Sequence, residues 1–113
     1  MMDGSVVLVA TASTVGHSPP VLLEDNDNGL FLAFQVLGVD QAEEMGVVVQ
    51  VSNDEVGWTD VQAVDGIGVE VGATGNQQSP VLSGAFVRFY LSAFSQSGDG
   101  SVRVRFDYQT GRW

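Results

Sequence analysis

The hydrophobic pattern of this chain repeats every second residue. It is clearest in Ser101-Val102-Arg103-Val104-Arg105-Phe106-Asp107-Tyr108, and it returns in short segments separated by glycine, asparagine and aspartate. Such alternation sends successive side chains to opposite faces of a strand, one buried and one wet. It predicts strands over Ser5 to Thr14, Leu30 to Leu37, Gly46 to Ser52, Trp58 to Val64, Ile67 to Val71, Ala85 to Phe94 and Ser101 to Tyr108. Pro20 to Leu23 adds a short edge piece, because Pro19 and Pro20 have no N–H for a central ladder. Seven or eight strands joined by turns predict an all-β fold, a compact antiparallel β-sandwich of jelly-roll type. Only Val39 to Met45 departs from the pattern. Asp40 and Glu43 have capping-box spacing there, but the segment is too short for an independent helix, so a turn or 3₁₀ piece is expected.

The two C-terminal segments match each other as a hairpin. Pairing Val87 with Tyr108, Phe89 with Phe106, Leu91 with Val104 and Ala93 with Val102 puts all eight on one face. The other face then carries Arg88 against Asp107, Tyr90 against Arg105 and Ser92 against Arg103. A slip of one residue would exchange the faces, so the agreement argues for this register. Ser95 to Gly100 supplies the turn chemistry. Three of the four arginines then share one outer face. It reads either as a solvated surface balanced by carboxylates or as a docking surface, where arginine and tyrosine are enriched.

Length and charge narrow the function. The 113 residues suit one domain over 1–113, large enough to bury its own core. With no cysteine there are no disulfides, thiolate nucleophiles or thiolate metal sites. Fourteen acidic residues against four arginines give a formal charge of −10. A surface that negative repels nucleic acid and anionic lipid, so neither partner is expected, and a protein partner should be neutral or basic where it docks. The apolar run Val6 to Ala10 has no basic flank for a signal peptide and is too short to cross a bilayer.

Candidate chemistry is thin. Glu24-Asp25-Asn26-Asp27-Asn28-Gly29 opens like a calcium loop, yet the sixth and twelfth positions from Asp25 are Leu30 and Val36 instead of glycine and glutamate. It reads as a polar turn, with Asp25 and Asp27 the residues that a looser cation site would use. His17 is the sole histidine, and no serine sits in a nucleophile elbow that would complement it. The carboxylate pairs Glu43-Glu44 and Asp54-Glu55 read as solubility and turn residues, not as the acid and base of a glycosidase. Gly66, Gly68, Gly72 and Gly75 precede no helix and read as bends in a sheet, not as a phosphate cradle. No enzyme and no cofactor is expected.

Val47 to Val61 reads Val-Val-Val-Gln-Val-Ser-Asn-Asp-Glu-Val-Gly-Trp-Thr-Asp-Val, and Gly84-Ala85-Phe86-Val87-Arg88-Phe89 follows later. The first resembles the hairpin of galactose-binding-like, discoidin-type jelly rolls, and the second a strand of the same folds. Small virion proteins of tailed phages carry the same pairing, and the resemblance covers roughly residues 30–108. From the residues alone, Ser52-Asn53-Asp54 is expected to form an Asx-type turn, with Trp58 covering the end of the core. The chain is shorter than a typical discoidin domain, lacks its cysteines and shows no obvious aromatic sugar-binding loops. The resemblance therefore implies a bacteriophage virion protein: a capsid decoration or cement protein on the capsid surface, with the major capsid protein as partner and either a homotrimer or a monomer as its state. The alternatives are a carbohydrate-binding module and a tail or baseplate accessory domain. Expected contact residues are Val6 and Val7 of the N-terminal segment 1–9, the outward set Arg88, Tyr90, Arg103 and Arg105, and the terminal Arg112 and Trp113.

Overall fold

The computed structural model describes residues 3–11, 16–24 and 27–112, and only the backbone of 96–98. These residues form six strands: β1 (Asp3–Thr11), β2 (Val21–Leu22), β3 (Gly29–Ser52), β4 (Thr59–Ala63), β5 (Thr74–Gln78) and β6 (Phe86–Gly111). They make one antiparallel sheet in the order β1-β6-β3-β4, with β2 added to β6 and β5 to β3. The all-β class stands. The strands are fewer and longer than predicted, because four predicted segments are halves of just two strands.

β3 and β6 pair along almost their whole length, from Gly29 opposite Gly111 to Ser52 opposite Phe86. At about 3.3 Å per residue a straight strand the length of β6 would reach roughly 85 Å, yet the longest dimension of the molecule is 44 Å. The ribbon is therefore folded over. Four register shifts fall between Val36 and Val47, and Gln41 adopts a φ of 52°. Bulges of this kind bend and twist a strand while keeping it paired. They carry Val39 to Met45 through the bend as an irregular but paired part of β3, where a turn or 3₁₀ piece was expected. Asp40, Gln41, Glu43 and Glu44 are exposed along that bend.

Folding the ribbon places one half of the sheet over the other. The first half holds β1, residues 101–111 of β6, residues 29–38 of β3, and β5. The second holds β4, residues 46–52 of β3, residues 86–94 of β6, and β2. Residues 16–18 extend the β2 edge, with Ser18 donating its amide to Phe89 and Leu91 donating to Gly16. Between the halves lie the fully buried Leu8, Leu32, Val49, Val104 and Phe106. Phe89 and Phe106 stack across this core with centroids 4.2 Å apart and planes within 5°.

That stack corrects the C-terminal hairpin. The parity is as expected: Val87, Phe89, Leu91, Val102, Val104 and Phe106 are buried, while Ser92, Arg103, Arg105 and Asp107 are exposed. Ala93 is exposed against expectation, and Tyr108 is half-buried. The partners differ throughout. Val104 lies between Leu8 and Val36, and Phe89 beside Val49. A hairpin would leave Phe89 and Phe106 side by side in one layer. The folded ribbon makes each half the lid of the other, burying both apolar faces.

The edge next to β4 and β5 is closed by a side chain. Gln77 accepts from the Asp65 amide at 2.8 Å and donates to Gln62 Oε1 and the Ala63 carbonyl. Ile67 to Val71, predicted as a strand, is irregular chain around two turns, with Gly66 at φ 78° and Gly72 at φ 88°. The strand is instead β5, whose polar run Thr-Gly-Asn-Gln-Gln carries no apolar alternation to reveal it. Residues 79–85 cross the end opposite the bend, where Leu82 is buried and donates its amide to Asn28.

Candidate docking site

Period two sends Gln50 of β3, Arg88 and Tyr90 of β6, and Asp60 of β4 to the outer face of the second half. Register brings them together: Gln50 lies opposite Arg88 on one side and Asp60 on the other. Gln50 is buried and its amide is satisfied at both ends. Its Oε1 accepts from Arg88 Nε at 2.9 Å, and its Nε2 donates to Asp60 Oδ1 at 2.7 Å. The Arg88 guanidinium lies 4.1 Å from the ring centroid of Trp58 and 5.4 Å from that of Tyr90. Burial lowers its pKa, with the Tyr90 hydroxyl working the other way, and an arginine keeps its charge through any such shift.

Trp58 is set by the turn that precedes it. Ser52 Oγ accepts from the amides of Asp54 and Glu55 and donates to Asp54 Oδ1. The same Oδ1 accepts from the amides of Val56 and Gly57. These bonds, led by Gly57, hold the Asp54 carboxyl below its ordinary pKa. The expected turn is present. Trp58 then donates its indole N–H to the Glu55 carbonyl at 3.2 Å and lays its ring beneath Arg88. It is a surface platform, not the cover of the core end expected from sequence.

The expected contact residues scatter. Arg88 and Tyr90 belong to this cluster. Arg103 and Arg105 project from the opposite half, where Arg105 pairs with Asp107 two residues along its own strand at 3.0 Å. The four arginine and tyrosine positions therefore make two faces, because β6 crosses from one half to the other. Val6 turns inward against the core and lies opposite Phe106, while Val7 is exposed on the first half. Arg112 is exposed. Trp113, Met1 and Asp25 lie outside the described residues.

His17 is exposed, faces Tyr90 in an isolated bridge, and has its Nδ1 2.9 Å from the Ser18 carbonyl. Asp27 accepts a hydrogen bond from the Thr110 hydroxyl at 2.8 Å. Among the described residues no group of three metal-ligating side chains comes together. A shallow cleft of about 450 Å³ lies on the outside of the bend, lined by Val9, Thr11, Asp40, Ser101 and Arg103 among others.

Sequence reasoning missed Gln50, Asp60 and the surface role of Trp58. A signal for the first was present: Gln50 is the lone polar residue within Val47 to Val51, so it must face outward and find a partner. Compared with protein-family models, curated proteins and solved structures, the chain matches none.

Proposed function

We propose that this chain is a non-catalytic docking domain, a decoration or cement protein that binds the outside of an assembled tailed-phage head. The observation that carries the reading is the Trp58–Arg88–Tyr90 cluster, half-buried on an open sheet face and pinned from below by Gln50 and Asp60. Tryptophan, arginine and tyrosine are the residues that dominate protein interfaces when fixed at the centre of a patch. Leu22, 60% exposed, extends the same face beside Phe86. The resemblance of Val47 to Val61 and Gly84 to Phe89 to strands of virion jelly rolls supports the same reading. Such a protein acts by mass action: bridging capsid subunits only in the assembled state stabilises that state by about 2.7 kcal/mol at a hundredfold excess over Kd.

The test is cosedimentation with mature heads. Wild-type chain is expected to pellet with heads and to raise the temperature at which they release DNA. Trp58→Ala with Arg88→Ala should weaken binding at least tenfold while leaving the fold intact. Deleting residues 1–9 is no useful variant, since it removes β1 and with it Leu8 from the core. Specific binding on a glycan array with no affinity for heads would replace this reading with a carbohydrate-binding module.

A further inference from the structure

We infer that Arg88 is a receptor for a single carboxylate, carried by an aspartate or glutamate of the docking partner. This rests on the reading of its face as a docking surface. The chain has fourteen acidic residues and four arginines, and Arg88 is the arginine whose guanidinium is fixed in place by a neutral side chain and two aromatic rings. Arg105 meets Asp107 directly. Arg88 does not: its Nε donates to the neutral amide oxygen of Gln50, and Gln50 in turn occupies Asp60. The glutamine acts as a spacer that holds the Asp60 carboxylate one hydrogen bond away from the guanidinium.

The consequence is a free fork. A guanidinium has five N–H donors in a fixed plane. With Nε committed to Gln50, the Nη1 and Nη2 end remains, and among the described residues neither nitrogen has a hydrogen-bond or ion-pair partner. That end is the one that meets a carboxylate through two parallel bonds. Trp58 and Tyr90 hold the plane and take water from it. The cation is thus partly desolvated, oriented and without a direct ionic partner, and an incoming carboxylate would supply one.

The field of the whole chain adds selectivity. A charge of −10 repels an acidic patch. The residue that reaches Arg88 is therefore a solitary acid in a neutral or basic surrounding, consistent with the partner surface expected from the charge balance.

Acetate is the probe, titrated against chloride at constant ionic strength, with the Arg88 Nε–H and the Trp58 indole N–H followed by NMR. Saturable shifts at millimolar acetate are expected, weakened several-fold in Arg88→Lys, which keeps the charge and loses the fork. Gln50→Leu should weaken them too, because Nε is no longer held. Shifts identical for acetate and chloride, or a Trp58 indole response unchanged in Arg88→Lys, would overturn the inference. The same lysine variant separates this idea from the docking reading. Heads bound equally well by both proteins would sink the receptor and leave docking intact. Saturable acetate binding with no affinity for heads would leave the receptor and remove its proposed setting. Acetate binding together with a tenfold loss of head affinity in Arg88→Lys supports both.

Discussion

Asp54 receives two backbone amides and a hydroxyl on one oxygen while standing fully in solvent. Its pKa is lowered in the fold, so its stabilising contribution is complete above the ordinary carboxylate range and is lost as the pH falls through the lowered folded-state value. Asp54→Ala should therefore melt earlier than wild type at pH 7. The gap should close in melts taken stepwise below about pH 4, and a gap that persisted there would mean that the ionised carboxylate does not hold the turn. Gly75 shows the opposite kind of constraint. A methyl at that position would sit 2.6 Å from the ring of Phe34, which is 4% exposed. Gly75→Ala is expected to cost about 1–3 kcal/mol through overpacking, read as a shift in the urea midpoint. Part of this was legible in advance: the Ser-Asn-Asp turn follows from its own residues, whereas the need for glycine at 75 depends on a phenylalanine forty-one positions earlier.

The ribbon of β3 and β6 is the element on which the fold turns, and its two aromatic rings report on it. Phe106→Ala should cost about 3–5 kcal/mol by leaving a cavity in the core. A double-mutant cycle with Phe89→Ala should return a coupling of about 0.5–1.5 kcal/mol from the stacked rings. Since the two residues belong to opposite halves, each variant loosens both layers. Gln77 makes a more local prediction. Its three bonds join the β4 and β5 edges, two of them to exposed groups that water can serve instead. Gln77→Ala should cost only about 1–2 kcal/mol. Amide exchange should quicken along Thr74–Gln78 and stay unchanged in β1, and equal acceleration everywhere would show that the latch is not local. The face of each strand could be read from alternation, because period two is a property of the single strand. The partner could not. Val36, Val104, Leu91 and Val49 all present the same alternating edge, and any in-phase pairing satisfies it.

For the whole molecule the charge balance is the dominant long-range term. Fourteen carboxylates on a chain whose shortest dimension is 18 Å repel one another. Raising salt from about 0.01 M to 0.15 M shortens the screening length from about 30 Å to about 8 Å. The thermal midpoint should rise over that range, and a fall would show that local pairs such as Arg105–Asp107 outweigh the repulsion. The same field would act on any partner at the proposed docking face, disfavouring clusters of acid there. Arg88 and Tyr90 were visible in the sequence as outward residues of a strand. Arg103 and Arg105 share their parity but not their place, because β6 turns through the bend between them.

By itself the sequence determined the all-β class, the inward and outward set of each strand, the serine–aspartate turn and the strongly acidic surface. Each of these follows from short-range geometry or from composition. Only the tertiary structure decided that 29–38 and 46–52 are one strand, that 86–94 and 101–111 are another, and that the two fold over as a ribbon. The bend runs through four register shifts and a left-handed residue, whose local cost is offset only once a second layer is there to bury Phe89 against Phe106. The cluster around Arg88 has the same origin. Gln50, Trp58, Asp60 and Arg88 lie on three different strands or their ends, and their meeting is set by which edges pair.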